Sequence, residues 1–236
     1  MKLIWSPELA TKAYLDTVKA CGISQESGVA ELVSAMAAGW NAKFIVETWS
    51  HGGPVATSIG LAVASRHSGG RHVCVVPDED SRSEYMRALR QAAATAAGGG
   101  NSIDVPAGGE VVVGEPEEVM RGLAGIDFLV VDSRRKDFAR VLRAARLSGR
   151  GAVLVCKNAG SKQSASFRWR SVMDGGSTRR LVRSVYLPVG KGLDIAHVAT
   201  SGAGNSSGGG GGQSKGQSRW IKHVDRESGE LHVIRK

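Results

Sequence analysis

Charged and amide side chains follow the short apolar runs of this sequence, and they have the chemistry that a binding or catalytic site needs. Asp132 closes the apolar run 128–132, and Lys157 and Asn158 close the run 151–158. An apolar run of about five residues between polar turns is typical of a buried parallel strand, and ligands bind outside the carboxyl ends of such strands. We therefore expect a carboxylate, an ammonium group and an amide to face one crevice. Taken alone, Asp132 could equally cap the next helix.

A second candidate site follows the predicted strand 44–48. Glu47 lies near the end of this strand, and His51, Gly52 and Gly53 lie in the turn before an apolar helix. A strand, a glycine turn and a helix begin a βαβ unit, and the free N–H groups at the start of its helix can hold an anion or a cofactor. His51 is a possible general base. The alternatives are an ordinary βα turn and a solvated loop histidine.

Acidic residues also follow the predicted strand 71–77. In nucleoside-binding α/β sheets an acid at the end of this strand binds the ribose hydroxyls. Here Pro77 has that position, and the acids Asp78, Glu79 and Asp80 come one to three residues later. Asp78 or Glu79 could take the ribose role if the loop is shifted.

These residues need a sheet to position them, and the order of the apolar patterns predicts one. Two helices, 6–20 and 27–38, precede strands at 44–48, 71–77, 110–116, 128–132 and 151–158, with helices between them at 59–67, 81–97, 116–123 and 136–147. Two further strands on either side of the turn 188–192 form a β-hairpin. This alternation predicts a doubly wound α/β sheet that ends in an antiparallel hairpin. We interpret Arg140, Arg143, Arg146 and Arg150 as the solvated face of the helix 136–147.

The composition changes sharply near residue 200. Residues 201–218 are almost entirely glycine, serine and polar residues, which cannot bury a core and predict a flexible linker. Apolar residues return in 219–236. This appendage could be a small hairpin about Ser228 and Gly229 that docks back, or an element that binds a partner. The predicted organisation is a domain at 1–200, a linker at 201–218 and the appendage at 219–236.

The whole-chain composition limits the classes of partner. With 236 residues and a net charge of +9, the chain favours anionic partners, which include phosphates, CoA-like or nucleotide ligands, nucleic acid and acidic surfaces, and the charge alone does not choose among them. Aromatic residues are scarce and do not alternate with the basic ones, which argues against a nucleic-acid surface. No apolar run reaches the roughly 18 residues of a membrane helix, and no signal peptide is evident, so we expect a cytoplasmic protein. The basic excess also permits a nuclear location. No feature of the sequence specifies an oligomeric state.

The three cysteines indicate neither a disulfide framework nor a zinc site. Cys21, Cys74 and Cys156 are odd in number and far apart, without a CxxC pair or a neighbouring histidine. We interpret them as small buried hydrophobes in a reducing compartment.

Three stretches of the sequence resemble small-molecule O-methyltransferases typified by caffeoyl-CoA and catechol O-methyltransferases. They are VAELVSAMAAGWNAKFIVET with its glycine turn, IDFLVVDSRRKDF and the closing YLPVGKGLDIA. The WSP start, VETWS, LPVGKGLDIAHV and the tail RWIKHVD are similar to a plant family of unassigned function, usually placed in the S-adenosylmethionine-dependent methyltransferase superfamily. The resemblance implies a Rossmann-like class I methyltransferase-type sheet of seven strands with a terminal antiparallel hairpin.

The resemblance also implies residue roles. S-adenosylmethionine would be the cofactor, and the chemistry would depend on Lys157, Asp132 and Asn158. The cofactor contacts would come from Glu47, Trp49, His51, Gly52, Gly53, Asp78, Glu79 and Asp132.

The sequence departs from the family pattern at important positions. Trp49 replaces the first glycine of the Glu-x-Gly-x-x-x-Gly turn, and Lys157 replaces an acid that binds the metal. Arg134 stands where the family has an acid that contacts the cofactor. An ammonium group does not ligate Mg²⁺ or Ca²⁺, so we expect no metal and instead an ion pair between Lys157 and Asp132. Two functions follow: a metal-independent methyltransferase acting on a small or CoA-like anionic acceptor, or a non-catalytic binding or regulatory protein on a degenerate methyltransferase fold.

Overall fold

The structure is a computed structural model that describes residues 4–21, 28–98, 109–160, 166–173, 179–200, 220–224 and 231–235. The chain divides into two units, Met1–Ala203 and Gly204–Lys236. In the first unit the helices are α1 (Pro7–Cys21), α2 (Val29–Gly39), α3 (Ala56–Ser68), α4 (Glu79–Gly98), α5 (Pro116–Gly122), α6 (Phe138–Ala144) and α7 (Arg170–Met173). Its strands are β1 (Phe44–Thr48), β2 (Arg71–Val76), β3 (Glu110–Val113), β4 (Ala124–Ile126), β5 (Phe128–Asp132), β6 (Arg146–Leu147), β7 (Ala152–Lys157), β8 (Arg179–Leu187) and β9 (Leu193–Thr200).

A seven-stranded sheet in the order β3-β2-β1-β5-β7-β9-β8 forms the centre of the first unit. The first five strands in this order, β3, β2, β1, β5 and β7, pair in parallel, whereas β9 pairs antiparallel with both β7 and β8. The order reverses between β1 and β5, which is where ligands bind in open α/β sheets. The predicted doubly wound sheet with a terminal antiparallel hairpin is confirmed.

Two apolar layers cover the sheet because alternate residues of each strand point to opposite faces. Ile45, Phe128 and Val153 pack against α1, α2 and α3 on one face. Val46, Leu129 and Leu154 pack against α5, α6 and α7 on the other. On the first face α2 and α3 approach closely at Gly60, where an added Cβ would lie 2.6 Å from the carbonyl oxygen of Ala30.

The helix after β5 is shorter than the predicted 136–147, and this prediction was wrong at both ends. It ends at Ala144, and the following residue turns to extended backbone with ψ 130°. Arg179 of β8 explains the early end, because its guanidinium donates to the carbonyl oxygens of Leu142 and Arg143 at 3.3 and 3.2 Å, and also to that of Ala145. A cation that binds the last carbonyl groups of a helix stabilises its terminus.

Two short strands, β4 and β6, were not predicted, and they change the placement of the arginines. The pair forms a separate two-stranded sheet beside the main one. Arg140 and Arg143 lie on α6, but Arg146 belongs to β6. Arg150 lies beyond it and forms an ion pair with the buried Asp127 at 3.1 Å. The predicted four-arginine helix face is therefore wrong.

The outer strand β8 is irregular. Its register against β9 shifts between Leu181 and Arg183, where β8 has one more residue than β9. Val182, Val185 and Tyr186 of this strand are 46%, 43% and 53% exposed. β8 is thus a terminal strand with apolar side chains on its surface.

The second unit contains two antiparallel strands, β10 (Trp220–Val224) and β11 (Leu231–Arg235). Trp220 is opposite Arg235, and Val224 is opposite Leu231. This pairing agrees with the predicted tail hairpin, while its turn at Ser228 and Gly229 and the predicted linker 201–218 lie outside the described residues. The division into a domain, a linker and an appendage stays a prediction. None of the described helices is long and apolar enough to cross a membrane.

Candidate functional site

The tips of β1, β5 and β7 bring three of the candidate residues to the same face of the sheet. Asp132 and Lys157 are direct neighbours in the parallel register, and Glu47 lies on β1 opposite Val130 of β5. Because side chains alternate along a strand, these three share the face that α1, α2 and α3 cover. Glu47, Asp132 and Lys157 are 0%, 5% and 6% exposed. Three buried charged residues therefore lie together near the switch point of the sheet.

Asp132 is held by Arg134, two residues further along the chain. Its Oδ1 accepts hydrogen bonds from the backbone N–H and the Nε of Arg134 at 2.9 and 3.1 Å, and its Oδ2 accepts from Nε and Nη2 at 3.1 and 2.6 Å. Burial raises the pKa of Asp132, but the hydrogen bonds from Arg134 and Asn158 and the charge of Lys157 lower it by more than burial raises it. The pKa of Asp132 therefore lies below its usual value.

The predicted ion pair between Asp132 and Lys157 is not formed. The guanidinium fork of Arg134 matches the carboxylate better than a single ammonium does, and the turn after β5 folds it back within reach. Asp132 does not cap the following helix either, because α6 begins at Phe138 and Asp137 precedes it.

Lys157 is a buried cation whose ammonium group forms neither an ion pair nor a hydrogen bond with any residue in the described ranges. Its charge nevertheless lowers the pKa of both Glu47 and Asp132. Asn158, the next residue, adopts a left-handed conformation with φ 60°. A buried charge without a hydrogen-bonded partner costs free energy, so Lys157 is a candidate for contact with a ligand.

Glu47 belongs to a buried polar cluster that the sequence analysis missed. Its Oε1 pairs with Nε2 of His72 at 3.1 Å, while its Oε2, Ser58 Oγ, His72 Nδ1 and Tyr85 Oη lack a hydrogen bond of normal geometry. Burial raises the pKa of Glu47, but His72, Lys157 and the nearby Ser58 lower it, and the net direction is downward. A signal for His72 existed, since it lies two residues before Cys74, the partner of Glu47 in the register, and therefore faces the same side.

Trp49 fills the inside of the first turn. Its indole is 2% exposed, donates from Nε1 to the carbonyl oxygen of Gly53 at 3.1 Å, and meets the ring of Tyr85 edge-on at 5.3 Å. An added Cβ at Gly53 would lie 2.9 Å from the carbonyl oxygen of Ser50, whereas one at Gly52 would meet nothing within 4 Å. The turn is thus tight on its inner side and open at Gly52.

The remaining candidates lie away from this cluster. His51 has a side chain that is 74% exposed and pairs with Glu84 of α4. Asp78 accepts the backbone N–H of Ser81 at 2.7 Å and so caps the first turn of α4. Glu79 forms an exposed ion pair with Arg82 at 3.3 Å. The structure does not bring these three acids and bases to the strand-tip cluster.

The cysteines are free thiols. Cys74 and Cys156 are buried, and burial raises the pKa of each well above its usual value. Burial also raises the pKa of Cys21 to about 12. Such thiols stay protonated near neutral pH, so they are poor nucleophiles and metal ligands.

A pocket of about 390 Å³ lies next to the strand-tip cluster. It extends from Arg134 and Asn158 to the turn between β8 and β9. The described residues that line it are Arg134, Asn158, Gly160, Tyr186, Pro188, Gly190, Lys191 and Gly192.

One sequence family matches the whole length of the chain. A family model described as "Protein of unknown function (DUF1442)" matches residues 1–236. This chain belongs to the DUF1442 family. A comparison with curated protein sequences gave no match.

Solved structures show the fold of this DUF1442 protein. A methyltransferase from Geobacter sulfurreducens is similar with a TM-score of 0.53 and 19% identity, over 82% of this chain and 89% of that one. The cofactor-bound protein Rv0187 from MTB is similar with a TM-score of 0.50 and 21% identity, over 81% of this chain and 89% of that one. Both likenesses confirm the Rossmann-like methyltransferase-type fold.

The strand tips of the DUF1442 chain do not fit a divalent metal. Lys157 places an ammonium group beside Asp132, and Arg134 already occupies both oxygens of that carboxylate. Within the part of the chain that the structure describes, no group of three or more His, Cys, Asp or Glu residues could hold a metal ion. Mg²⁺ and Ca²⁺ need several oxygen ligands, so we derive no metal-assisted step.

The same tips fit the amino-acid portion of S-adenosylmethionine better than its ribose. Glu47 Oε2 is a buried acceptor without a partner, which suits an ammonium donor, and the backbone is open at Gly52. At the tip of β2, Asp78 already uses Oδ1 to cap α4. The indole of Trp49 lies inside the turn, at the position where the resemblance to the O-methyltransferases implies a glycine.

The pairing of Asp132 with Arg134 predicts an effect of pH on stability. A carboxyl group whose folded-state pKa is lowered stabilises the protein above its unfolded pKa of about 3.9, and this stabilisation is lost as the pH falls through the folded value. We expect Arg134→Gln to lower the free energy of unfolding by about 1 kcal/mol at pH 7. The difference from the wild type should shrink below about pH 4.

Urea unfolding from pH 7 to pH 3 would measure this effect. Lys136→Gln, which removes an exposed cation two residues away, is the matched control and should follow the wild type at every pH. A stability difference for Arg134→Gln that stays constant with pH would contradict the assignment.

Proposed function

We propose that this DUF1442 protein is a metal-independent, S-adenosylmethionine-dependent methyltransferase that acts on a small anionic acceptor. The observation that supports the proposal is Lys157, a buried residue beside Asp132 whose ammonium group has no ion pair among the described residues. Glu47 and Asp132 offset part of the cost of burying this charge, but neither carboxylate pairs with it directly. A ligand with an anionic or developing negative oxygen would give it a partner.

The cofactor would be held at the tips of β1 and β5. Glu47 would accept the amine with its unpartnered Oε2, the open side of the turn at Gly52 would let the chain approach, and Asp132 would limit the crevice. When bound, the cofactor supplies an electrophilic methyl group.

Lys157 and Asn158 would act on the acceptor. The positive charge of Lys157 would lower the pKa of an acceptor hydroxyl and stabilise its anion, as a metal ion does in metal-dependent enzymes. Asn158, which helps to lower the pKa of Asp132, would orient the acceptor by a hydrogen bond. Methyl transfer needs alignment and the loss of one proton, so few catalytic groups suffice.

Calorimetric titration with S-adenosylmethionine and its demethylated product would test the proposal. We expect the full-length protein to bind at least one of them with a Kd of about 1 mM or tighter, and Glu47→Gln, which keeps the shape of the side chain, to weaken binding about tenfold. Lys12→Gln, on the exposed face of α1, is the control and should bind normally. Absence of heat and of a thermal shift at millimolar ligand would exclude the methyltransferase.

A non-catalytic binding or regulatory protein is the second candidate function. The inward indole of Trp49 and the use of Asp78 as a helix cap favour it, since both remove features of a cofactor site. This candidate predicts ligand binding at the Arg134 pocket without binding of the cofactor.

A further inference from the structure

The pocket beside Arg134 carries a charge that selects its ligand. Among the described residues that line it, Arg134 and Lys191 are cationic and none is acidic. A volume of about 390 Å³ lies within the range of small-molecule sites. Of the carboxylates near the lining, Asp132 pairs with Arg134, and Asp194, opposite Tyr186 in the register of β8 and β9, accepts a hydrogen bond from Trp169. The side chains that line the pocket therefore present positive charge to a small ligand.

Backbone hydrogen bonds fix the two turns that line this pocket. The N–H groups of Ala159 and Gly160 donate to the carbonyl oxygens of Gly192 and Lys191, each at 2.9 Å, and so join the turn after β7 to the hairpin turn. Gly192 has φ +89°, and an added Cβ there would lie 2.5 Å from Oη of Tyr186. The glycine lets the phenol ring lie along the turn, where it forms an aromatic wall with a hydroxyl group.

Arg134 belongs to both sites. The side chain of Asp132 is 7% exposed and that of Arg134 is 47% exposed, so one edge of the guanidinium contacts the carboxylate while the side chain also lines the pocket. Asp132 has other stabilising neighbours, because Lys157 and Asn158 both favour its charged form. If Arg134 leaves, Asp132 keeps a counter-charge.

We propose that this pocket binds the carboxylate or phosphate group of a small ligand, and that Arg134 moves from Asp132 onto that anion when it binds. Lys191 supplies the second cation, and Tyr186 contacts the body of the ligand. Asp132 then keeps the stabilising influence of Asn158 and of the nearby charge of Lys157. The inference rests on the proposed function and deepens it, because it assigns the anionic group of the acceptor to this pocket and to the two cations that line it.

Phenyl phosphate is a suitable probe, because it combines a dianion with one aromatic ring. We expect the full-length protein without cofactor to bind it with a Kd of about 1 mM or tighter. Arg134→Gln and Lys191→Gln should each weaken binding about tenfold, the effect of losing one charge-assisted hydrogen bond. Lys136→Gln, an exposed cation outside the lining, should leave the affinity unchanged.

Unchanged affinity in both Arg134→Gln and Lys191→Gln would overturn the proposal. Equal weakening by Lys136→Gln would also overturn it, since that result indicates attraction to the net charge alone. Tighter binding of a single-stranded oligonucleotide than of phenyl phosphate would assign the cations to nucleic acid instead. Lys191 is on an exposed turn, so its substitution keeps the test valid even if the Arg134 variant is unstable.

The change of partner has a readout of its own. In protein with ¹³C-labelled aspartate carboxyl groups, the Asp132 signal, identified by its loss in Asp132→Asn, should shift when phenyl phosphate binds. The shift should be absent in Arg134→Gln. A static Asp132 signal despite saturation would show that Arg134 stays on Asp132, and the switch would be rejected.

Failure of the proposed function is distinguishable from failure of this inference. Binding of phenyl phosphate without binding of S-adenosylmethionine or its product would reject the methyltransferase and keep the anion pocket. Binding of the cofactor without binding of phenyl phosphate would do the reverse.

Discussion

Trp49→Ala is expected to lower the free energy of unfolding by about 3–5 kcal/mol, as for other large-to-small changes at buried aromatic residues. The indole is almost completely buried, packs edge-on against Tyr85 and closes the first turn through Gly53. Its removal leaves a cavity between α3, α4 and the tips of β1 and β2 that the rigid sheet cannot close. Urea unfolding would measure the loss.

Trp49→Phe separates the two contributions of this side chain. It keeps an aromatic ring against Tyr85 but loses the Nε1–H donor to Gly53, so it should cost about 1–2 kcal/mol. Added indole should raise the melting temperature of Trp49→Ala by entering the cavity, and should leave Trp49→Phe unchanged. A Trp49→Ala variant as stable as the wild type would show that the indole is not part of the core.

Lys157→Asp is expected to lower the free energy of unfolding by about 3–5 kcal/mol at pH 7, because it removes the cation that lowers the pKa of both Glu47 and Asp132 and adds a third carboxylate. The new carboxyl group would have a folded-state pKa above its unfolded value, since a like charge and burial both oppose ionisation. The folded variant therefore binds protons more tightly than the unfolded one, so its loss of stability relative to the wild type should shrink as the pH falls from 7 towards 5.

Metal ions offer a second test of Lys157→Asp. With two carboxylates at neighbouring positions in the register of β5 and β7, millimolar Ca²⁺ or Mg²⁺ should recover part of the lost stability by binding the folded state. Lys157→Met, which removes the charge without adding one, is the control and should show neither the pH effect nor the recovery by metal. A Lys157→Asp variant that is insensitive to both would indicate that the two side chains do not share the crevice.

The sequence is sufficient to predict the frame of the site but not its contacts. Apolar runs bounded by polar turns predict the bounds of β1, β5 and β7 to within about a residue. Parallel pairing of β5 and β7 then makes Asp132 and Lys157 neighbours. Arg134, by contrast, depends on how one turn folds back, which no periodicity encodes. His72 and Tyr85 approach Glu47 from a different strand and from α4, and the inward direction of Trp49 depends on that same packing. Each is a long-range contact that spacing alone does not give.

Helix boundaries were the least predictable part for the same reason. The apolar pattern of α6 continues past its end, and only the guanidinium of Arg179, which comes from β8, marks where the carbonyl groups are capped. A cap from a strand distant in sequence has no local signal. The prediction that Arg150 lies on the same helix face as Arg140 was wrong for a similar reason. Arg150 pairs with Asp127, which precedes β5 and is distant in sequence.

The irregular outer strand has a consequence for behaviour in concentrated solution. A terminal strand with exposed valines can act as a template for strands of other chains, which leads to aggregation. In β8 the shift in register between Leu181 and Arg183 interrupts a continuous row of backbone donors, and the positive charges of Arg180 and Arg183 repel a second copy of the same edge. Salt screens that repulsion, so colloidal stability of this basic protein depends on a low ionic strength.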